Sequence, residues 1–349
     1  MERSSALLSI FKDMFRKVII ILFCFLTPSI FFAQKVRILG FGSSFMEDAF
    51  YRVPELLKAD TAKVELAFLY KAGCSLAEHI DLMRSQEPIY TYYKYNNEIG
   101  KWAKRDSTNS RFALLEHEWD IIVLQQSASE SGLYSSVKNT LAPLIDSIYH
   151  YQPTVQLAWH MTWAFAHNST HPAFNDYYNI SQQLMYYQIL SVGYKICRDE
   201  FVDDFRYLIP SGPVIQALRE SYLECDNDFC RDGYHIDLNL GRYAIACATY
   251  ESVLADVLNH DIRQVNVTLD KDTTHKVSDF AFIREIVYDI CHNTDSLIWN
   301  YIKDDRVYNR RYYDLLGVPL PDLPKQRIVA EQEFYQSGRT TSHLIYKKE

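Results

Sequence analysis

Two short stretches of this chain carry the residue types of nucleophilic acyl chemistry. The first, Gly42-Ser43-Ser44-Phe45, closes a β-rich apolar run from Lys35 to Phe41 and leads into Glu47-Asp48 at the head of a helical stretch. A Ser at a strand-to-helix turn exposes its hydroxyl, and the N–H groups of the helix start face any negative charge that forms on a bound carbonyl. The same residues suit a plain helix cap, with Glu47 closing a capping box from Ser44, and on this fragment alone the cap is the simpler reading. The second stretch, Arg231-Asp232-Gly233-Tyr234-His235, puts a carboxylate and an imidazole three residues apart, just ahead of a helix. Ser becomes a nucleophile at neutral pH when an imidazole takes its proton and a carboxylate fixes the imidazole tautomer. One Asp-x-x-His turn can supply both groups, so Ser44, His235 and Asp232 form the candidate set. Taken singly, such a turn is also a common solvated loop.

A third stretch adds rings and imidazoles. Trp159, His160, Trp163, His167 and His171 directly follow an apolar run, Val155 to Trp159, that reads as a strand. Trp159, His160 and Trp163 are expected to contact substrate, with ordinary packing as the alternative. His167 and His171 are four apart and invite a metal reading, but Asn168-Ser169-Thr170 and Pro172 favour a loop over a shared helix face. Neither metal nor cofactor is expected. Gln216, Arg219 and Arg242 read as surface or helix-capping residues, and Glu47 and Asp48 as hydrogen-bonding partners of the nucleophile loop.

The elements that must position these groups are legible as apolar runs. Strands are expected at Lys35–Phe41, Val64–Leu69, Ile121–Leu124, Val155–Trp159 and Tyr207–Ile209, each followed by a segment of helical periodicity. That alternation predicts a parallel sheet covered by helices on both faces, with ligands beyond the carboxyl ends of the strands. Thr91–Tyr95 and Lys101–Arg105 flank Asn96–Gly100 as an inserted hairpin. Long helices are expected over Asn175–Tyr194, Asn239–Leu258 and Asp279–Ile302, and the stretch from about Pro321 as a surface-hugging tail.

Five pieces occur in one order: GSSF with EDA after it, AGCSL at Ala72–Leu76, WDIIVLQQS at Trp119–Ser127, WHMTWAF at Trp159–Phe165 and RDGYH at Arg231–His235. Together they resemble the SGNH, or GDSL-like, hydrolase superfamily, and within it a secreted bacterial subgroup catalogued mainly as a domain of unknown function. The resemblance runs from about Lys35 to Leu258. It implies a three-layer α/β/α flavodoxin-like sandwich and a serine hydrolase with Ser44 as nucleophile, His235 as base and Asp232 behind it. It also implies oxyanion donors at Ser44 N–H and Gly73 N–H. Where the superfamily carries an Asn that completes the hole, this chain has Gln125-Gln126-Ser127, and a Gln amide can donate the same bond from one methylene further away. Gln125 is the first candidate and Gln126 the second, with support of the loop as the other role for the pair.

Composition narrows the partners. The 349 residues are 48% hydrophobic, enough for one generous domain with appendages, and 26 Tyr and 19 Phe suit either packing or aromatic-lined surfaces. The formal charge is −8 and no run of Lys or Arg stands out after the first 20 residues, which argues against a nucleic-acid partner. Arg16 and Lys17 precede an apolar run from Val18 to Phe25, the layout of a signal peptide cleaved near Ala33, with Met14 as a shorter start. Residues 1–33 carry four basic and two acidic residues, so their removal takes −8 to −10. A secreted or periplasmic protein without stable membrane insertion is expected. It comprises a catalytic domain over 34–260 and a C-terminal helical extension and tail over 261–349. Six Cys remain after the leader, and Cys225 with Cys230 could close a short loop, or all could be buried thiols. The expected activity is hydrolysis of acyl esters, chiefly acetyl esters on glycans. A noncatalytic carbohydrate-binding protein on the same scaffold and a metal-dependent hydrolase are the alternatives.

Overall fold

The computed structural model describes residues 35–303 apart from 58, 59, 61, 62, 224 and 269–274, with side chains as far as residue 296, and the backbone of the C-terminal strands. The expected leader, residues 1–33, lies outside the described residues. A seven-stranded sheet is built from β1 (Val36–Gly42), β2 (Val64–Tyr70), β3 (Tyr90–Asn96), β4 (Lys101–Thr108), β5 (Ile121–Leu124), β6 (Gln156–His160) and β7 (Phe205–Ile209). Its order is β4-β3-β2-β1-β5-β6-β7. The strands from β2 to β7 run parallel, whereas β3 and β4 form the antiparallel hairpin at one edge. Counting only the parallel strands, the chain steps outward from β1 in one direction, then returns and steps outward in the other. The reversal point lies between β1 and β5, and in open α/β sheets a crevice forms there beyond the strand ends.

The strands form where the sequence is apolar on both faces. In β1, Ile38, Leu39 and Phe41 are all fully buried, the pattern of an interior parallel strand rather than of a half-wet one. Burying each such side chain contributes on the order of 2 kcal/mol. The helices are α1 (Ser44–Tyr51), α2 (Leu76–Ser85), α3 (Ser110–Glu116), α4 (Leu141–Tyr151), α5 (Pro172–Tyr178), α6 (Gln182–Tyr194), α7 (Ser211–Arg219), α8 (Leu240–Val253) and α9 (Val277–Lys303), with shorter turns between them. They lie on both faces. Gly40 and Phe41 pair in register with Phe68 and Leu69, so Phe41 and Phe68 point to opposite sides of the sheet. Phe68 meets Phe50 of α1 edge-on at 6.0 Å, and Phe41 meets His79 of α2 at 5.8 Å.

Three segments depart most from the sequence expectation. The helix expected over Asn175–Tyr194 is two, because Asn179 (φ 51°) and Ile180 (φ 56°) turn left-handed after α5 and Ser181 caps α6 by accepting from Leu184 N–H. The helix expected over Asn239–Leu258 breaks at Leu254. Past α9 the described residues are strands: β8 (Val307–Tyr313), β9 (Pro319–Leu320), β10 (Ile328–Tyr335) and β11 (Thr340–Tyr346) make a four-stranded antiparallel sheet in the order β11-β10-β8-β9. No described helix is long and apolar enough to cross a membrane.

Candidate active site

The turn after β1 places Ser43 at the N-cap of α1 in extended conformation without a side-chain cap bond, so the capping-box reading is not realised. Ser44 opens the helix, where an N–H has no intrahelical acceptor. Its hydroxyl is 2.8 Å from His235 Nε2, across a separation of 191 residues. The other ring nitrogen, Nδ1, is 2.6 Å from Asp232 Oδ2. An ionised carboxylate only accepts, so Nδ1 carries the ring proton and Nε2 accepts from the Ser44 O–H.

The turn around His235 is built locally. Gly233 sits at φ +89°, a left-handed conformation that L side chains rarely adopt, and this folds the chain back. Asp232 Oδ1 then accepts from His235 N–H at 2.8 Å and from Tyr234 N–H at 3.3 Å. Burial pushes the Asp232 carboxyl up, but the His235 side-chain and backbone hydrogen bonds outweigh it and hold the group below the ordinary Asp value. A bridge between Cys230 and Ile236 closes the base of the turn. Phe45, the residue after the nucleophile, touches the His235 ring edge-on at 5.8 Å and stacks on Trp163 at 4.1 Å.

The second expected oxyanion donor lies at the same rim. Lys71 N–H donates to Gly42 O at 3.3 Å, tying the end of β2 to the end of β1. Gly73 follows at φ +64° with open space where a Cβ would stand, so backbone conformation, not crowding, is what glycine supplies. Ser75 and Glu78 form a reciprocal capping box that fixes the start of α2 directly behind it.

A family model described as a domain of unknown function (DUF4886) matches residues 37–282. The chain belongs to the DUF4886 family. The crystal structure of a DUF4886 family protein from Bacteroides uniformis ATCC 8492 is similar at 28% identity and a TM-score of 0.66, covering 75% of this chain and 96% of that one. A candidate SGNH hydrolase from Slackia heliotrinireducens matches at 18% identity and a TM-score of 0.43, covering 63% and 99%. A candidate GDSL-like lipase from Parabacteroides merdae ATCC 43184 matches at 13% and 0.36, covering 64% and 98%. No curated protein matches. The DUF4886 model spans every motif named above, from the Ser44 turn through Gly73 and the Gln pair to Asp232 and His235.

Within this DUF4886 chain the two Gln residues have different surroundings. Gln126 Oε1 accepts from Leu76 N–H at 2.9 Å and Ser127 N–H at 2.8 Å, and its Nε2 donates to Ser136 Oγ at 2.9 Å. Those bonds make it a brace between the β5 loop and the head of α2. Gln125 stands beside the nucleophile turn, fully buried, with Nε2 donating to Ser43 Oγ at 3.1 Å. Its Oε1 faces His160 Nδ1 at 3.0 Å, and His160 Nε2 faces Ser211 Oγ at 2.9 Å. An amide oxygen opposite Nδ1 requires the proton there, so Ser211 O–H donates to Nε2. His160 thereby sets which way the Gln125 amide points.

Trp159, His160 and Trp163 are not substrate contacts, contrary to the sequence expectation: they are 2%, 1% and 0% exposed. β6 is an interior strand and the loop after it tucks beneath the His235 turn, so rings placed there are packed. Trp159 abuts Phe205 edge-on, and Trp163 Nε1 donates to Tyr234 O at 2.8 Å, steadying the His235 turn from below. Arg219 and Arg242 are likewise not surface residues. Arg219 donates to Asp228 O at 3.1 Å and Ala164 O at 2.9 Å, and Arg242 reaches the buried carboxylate of Asp48 at 2.7 Å through Nε. Asp48 was expected to hydrogen-bond the Ser44 loop and instead pairs with Arg231 and Arg242; sequence reasoning gave no role to Arg231, Phe45 or Ser211, although Arg231 adjoins Asp232 and Phe45 adjoins Ser44.

The other two imidazoles of that stretch are engaged separately: His167 Nδ1 meets Asp228 at 2.6 Å, and His171 Nδ1 accepts from Ala173 N–H as the cap of α5. Among the described residues no group of three His, Cys, Asp or Glu is arranged to hold a metal ion. Cys225 and Cys230 stand as separate thiols, as do the other four described Cys. A cavity of about 280 Å³ lined in part by Arg198, Glu251, Cys291, His292 and Asp295 contains none of the triad residues. Two ion pairs line it, Arg198 with Asp295 and His292 with Glu251.

Burial pushes the His160 imidazole down to about 3. A depressed native value means that, below the ordinary 6.5, the unfolded chain takes up a proton that the native chain refuses. Stability is therefore lost as pH falls from 6.5 towards about 3 and levels off below. Replacing His160 with Gln is expected to remove about 2 kcal/mol of the fall in unfolding free energy between about pH 6.5 and 4.5. Denaturant titrations of both proteins at the two pH values check this, and parallel pH slopes would contradict it.

Proposed function

We propose that this chain is a serine esterase of the SGNH type. The observation that carries the reading is the unbroken Ser44–His235–Asp232 chain of hydrogen bonds, 2.8 Å and 2.6 Å long, at the crevice where open α/β sheets bind ligands. Ser44 Oγ attacks the ester carbonyl while His235 Nε2 takes its proton, and Asp232 steadies the imidazolium. The oxyanion rests on the N–H groups of Ser44 and Gly73. Gln125 supports the turn through Ser43, its buried amide held by His160. The imidazolium returns its proton to the departing alkoxide, leaving an acyl group on Ser44. His235 then deprotonates a water that attacks the acyl carbonyl, and collapse restores Ser44 with release of the carboxylic acid.

The substrates proposed are acyl, chiefly acetyl, esters on glycans, met outside the cytoplasm after export. The candidate leader supports export, and the open setting of the triad, with Asp232 partly exposed, supports an ester presented on a large molecule. The test is hydrolysis of 4-nitrophenyl acetate by the purified protein, followed by a panel of acetylated polysaccharides. Turnover with a burst of about one nitrophenolate per chain is expected if deacylation is the slower step. Heat of glycan binding without any ester turnover would instead support a carbohydrate-binding role.

A further inference from the structure

Asp48 has no exposed surface, yet it carries a carboxylate met by two guanidinium groups. Arg242 of α8 reaches its Oδ1 from Nε at 2.7 Å and from a terminal nitrogen at 2.6 Å, and Arg231 lies 3.2 Å from both carboxylate oxygens. Leaving one partner of such a buried set unpaired is costly, so the set acts as a unit. Its position is what matters for chemistry. Asp48 is one helical turn past Ser44 on α1. Arg231 immediately precedes Asp232, and the same nitrogen that meets Asp48 also donates to the carbonyl of Ile236, immediately after His235. Arg231 N–H closes the turn further by donating to His235 O at 2.8 Å. The guanidinium of Arg242 lies over the Tyr51 ring at 4.5 Å, at the far end of α1.

We propose that Asp48 is a positioning residue of the reaction: through Arg231 it locks both ends of the Asp232–His235 turn to the helix that presents Ser44, with Arg242 as the second anchor. This rests on the esterase reading of the triad. The two halves of the catalytic machinery come from opposite ends of the domain, and their register is set by this charge cluster around the buried Asp48 carboxylate rather than by the single Ser44–His235 bond. A displacement of about 1 Å between reacting groups costs roughly 10²-fold in rate.

The test compares Asp48→Asn, Arg231→Met and Arg231→Lys with the unaltered protein. The readouts are melting temperature, kcat and KM for 4-nitrophenyl acetate, and the far-downfield proton resonance of the Nδ1 proton shared by His235 and Asp232. Asp48→Asn and Arg231→Met are expected to lower kcat about 10²-fold with KM within about twofold, and to weaken or shift that resonance. Arg231→Lys, which keeps the charge without the fork of donors, should recover roughly tenfold over Arg231→Met. A kcat reduced less than about threefold with an unchanged resonance, whatever the fall in melting temperature, would overturn the proposal. Should Asp48→Asn not fold, Arg231→Met decides by the same criteria, since the Arg231 side chain is 31% exposed. If the unaltered protein shows the resonance but hydrolyses no ester, the esterase reading fails and the positioning role is judged on the resonance alone.

Discussion

Replacing Ser44 with Ala is expected to lower kcat for 4-nitrophenyl acetate by about 10⁴ to 10⁶, leaving only what the oxyanion donors and binding supply. The change removes the attacking oxygen and one bond, that to His235 Nε2. Ser44 lies at the rim rather than in the core, so the melting temperature should stay within a few degrees of the original. A further consequence follows from the triad acting as a unit. The double replacement of Ser44 and His235 by Ala should be no more than about threefold slower than either single one, because the second deletion removes a group with nothing left to activate. Steady-state rates of the three variants, purified in parallel, check both statements. A double variant slower by the product of the single effects would mean that the two residues act independently.

The second large effect is expected at Asp232. Asp232→Asn should reduce kcat by about 10⁴ with little change in KM. The carboxylate compels Nδ1 to carry the ring proton, whereas an amide can offer its own N–H to that nitrogen and drive the proton to Nε2. An imidazole protonated at Nε2 cannot accept from Ser44. The pH dependence separates this from a loss of local structure. With the Asp232 value held below the ordinary 3.8, its pairing is intact above that range and is lost only as pH falls through the lowered native value. Across the neutral range the carboxylate thus stays ionised, and the deficit of Asp232→Asn should persist to the alkaline end of that range, about pH 9. A deficit that vanishes at high pH would argue against the tautomer explanation.

Much of the scaffold was legible because interior parallel strands must be apolar on both faces. β1, β2, β5 and β6 each read as a continuous run, and the observed bounds agree within a residue or so. β7 begins earlier than expected, at Phe205, because Arg206 on this edge strand breaks the apolar run while projecting into solvent. The split between α5 and α6 carried a local signal, Asn179 ahead of a capping Ser181, that helical periodicity masked. Ser44, Asp232 and His235 were legible for a different reason: the chemistry restricts the residue types, and a turn of four residues holds two of them.

The side chains around the triad were not legible, and the cause is physical. Trp163 and His160 have the composition of a ligand-binding wall, and only the depth of the loop beneath the His235 turn makes them packing residues. Asp48, Arg231 and Arg242 meet across separations of 183 and 194 residues, so no local spacing announces the cluster. The C-terminal segment from Val307 onward was read as extension and tail, although Val307–Tyr313 and Thr340–Tyr346 are rich in the Tyr, Thr and Val that favour strands.

On the proposed mechanism, the hydroxyl of Ser44 is made nucleophilic by the imidazole it touches. Treatment with a fluorophosphonate, followed by peptide mapping of the modified protein, tests it directly. A single stoichiometric adduct on Ser44, abolished in His235→Ala, is the predicted result. Full ester turnover by a protein whose Ser44 stays unmodified would contradict it.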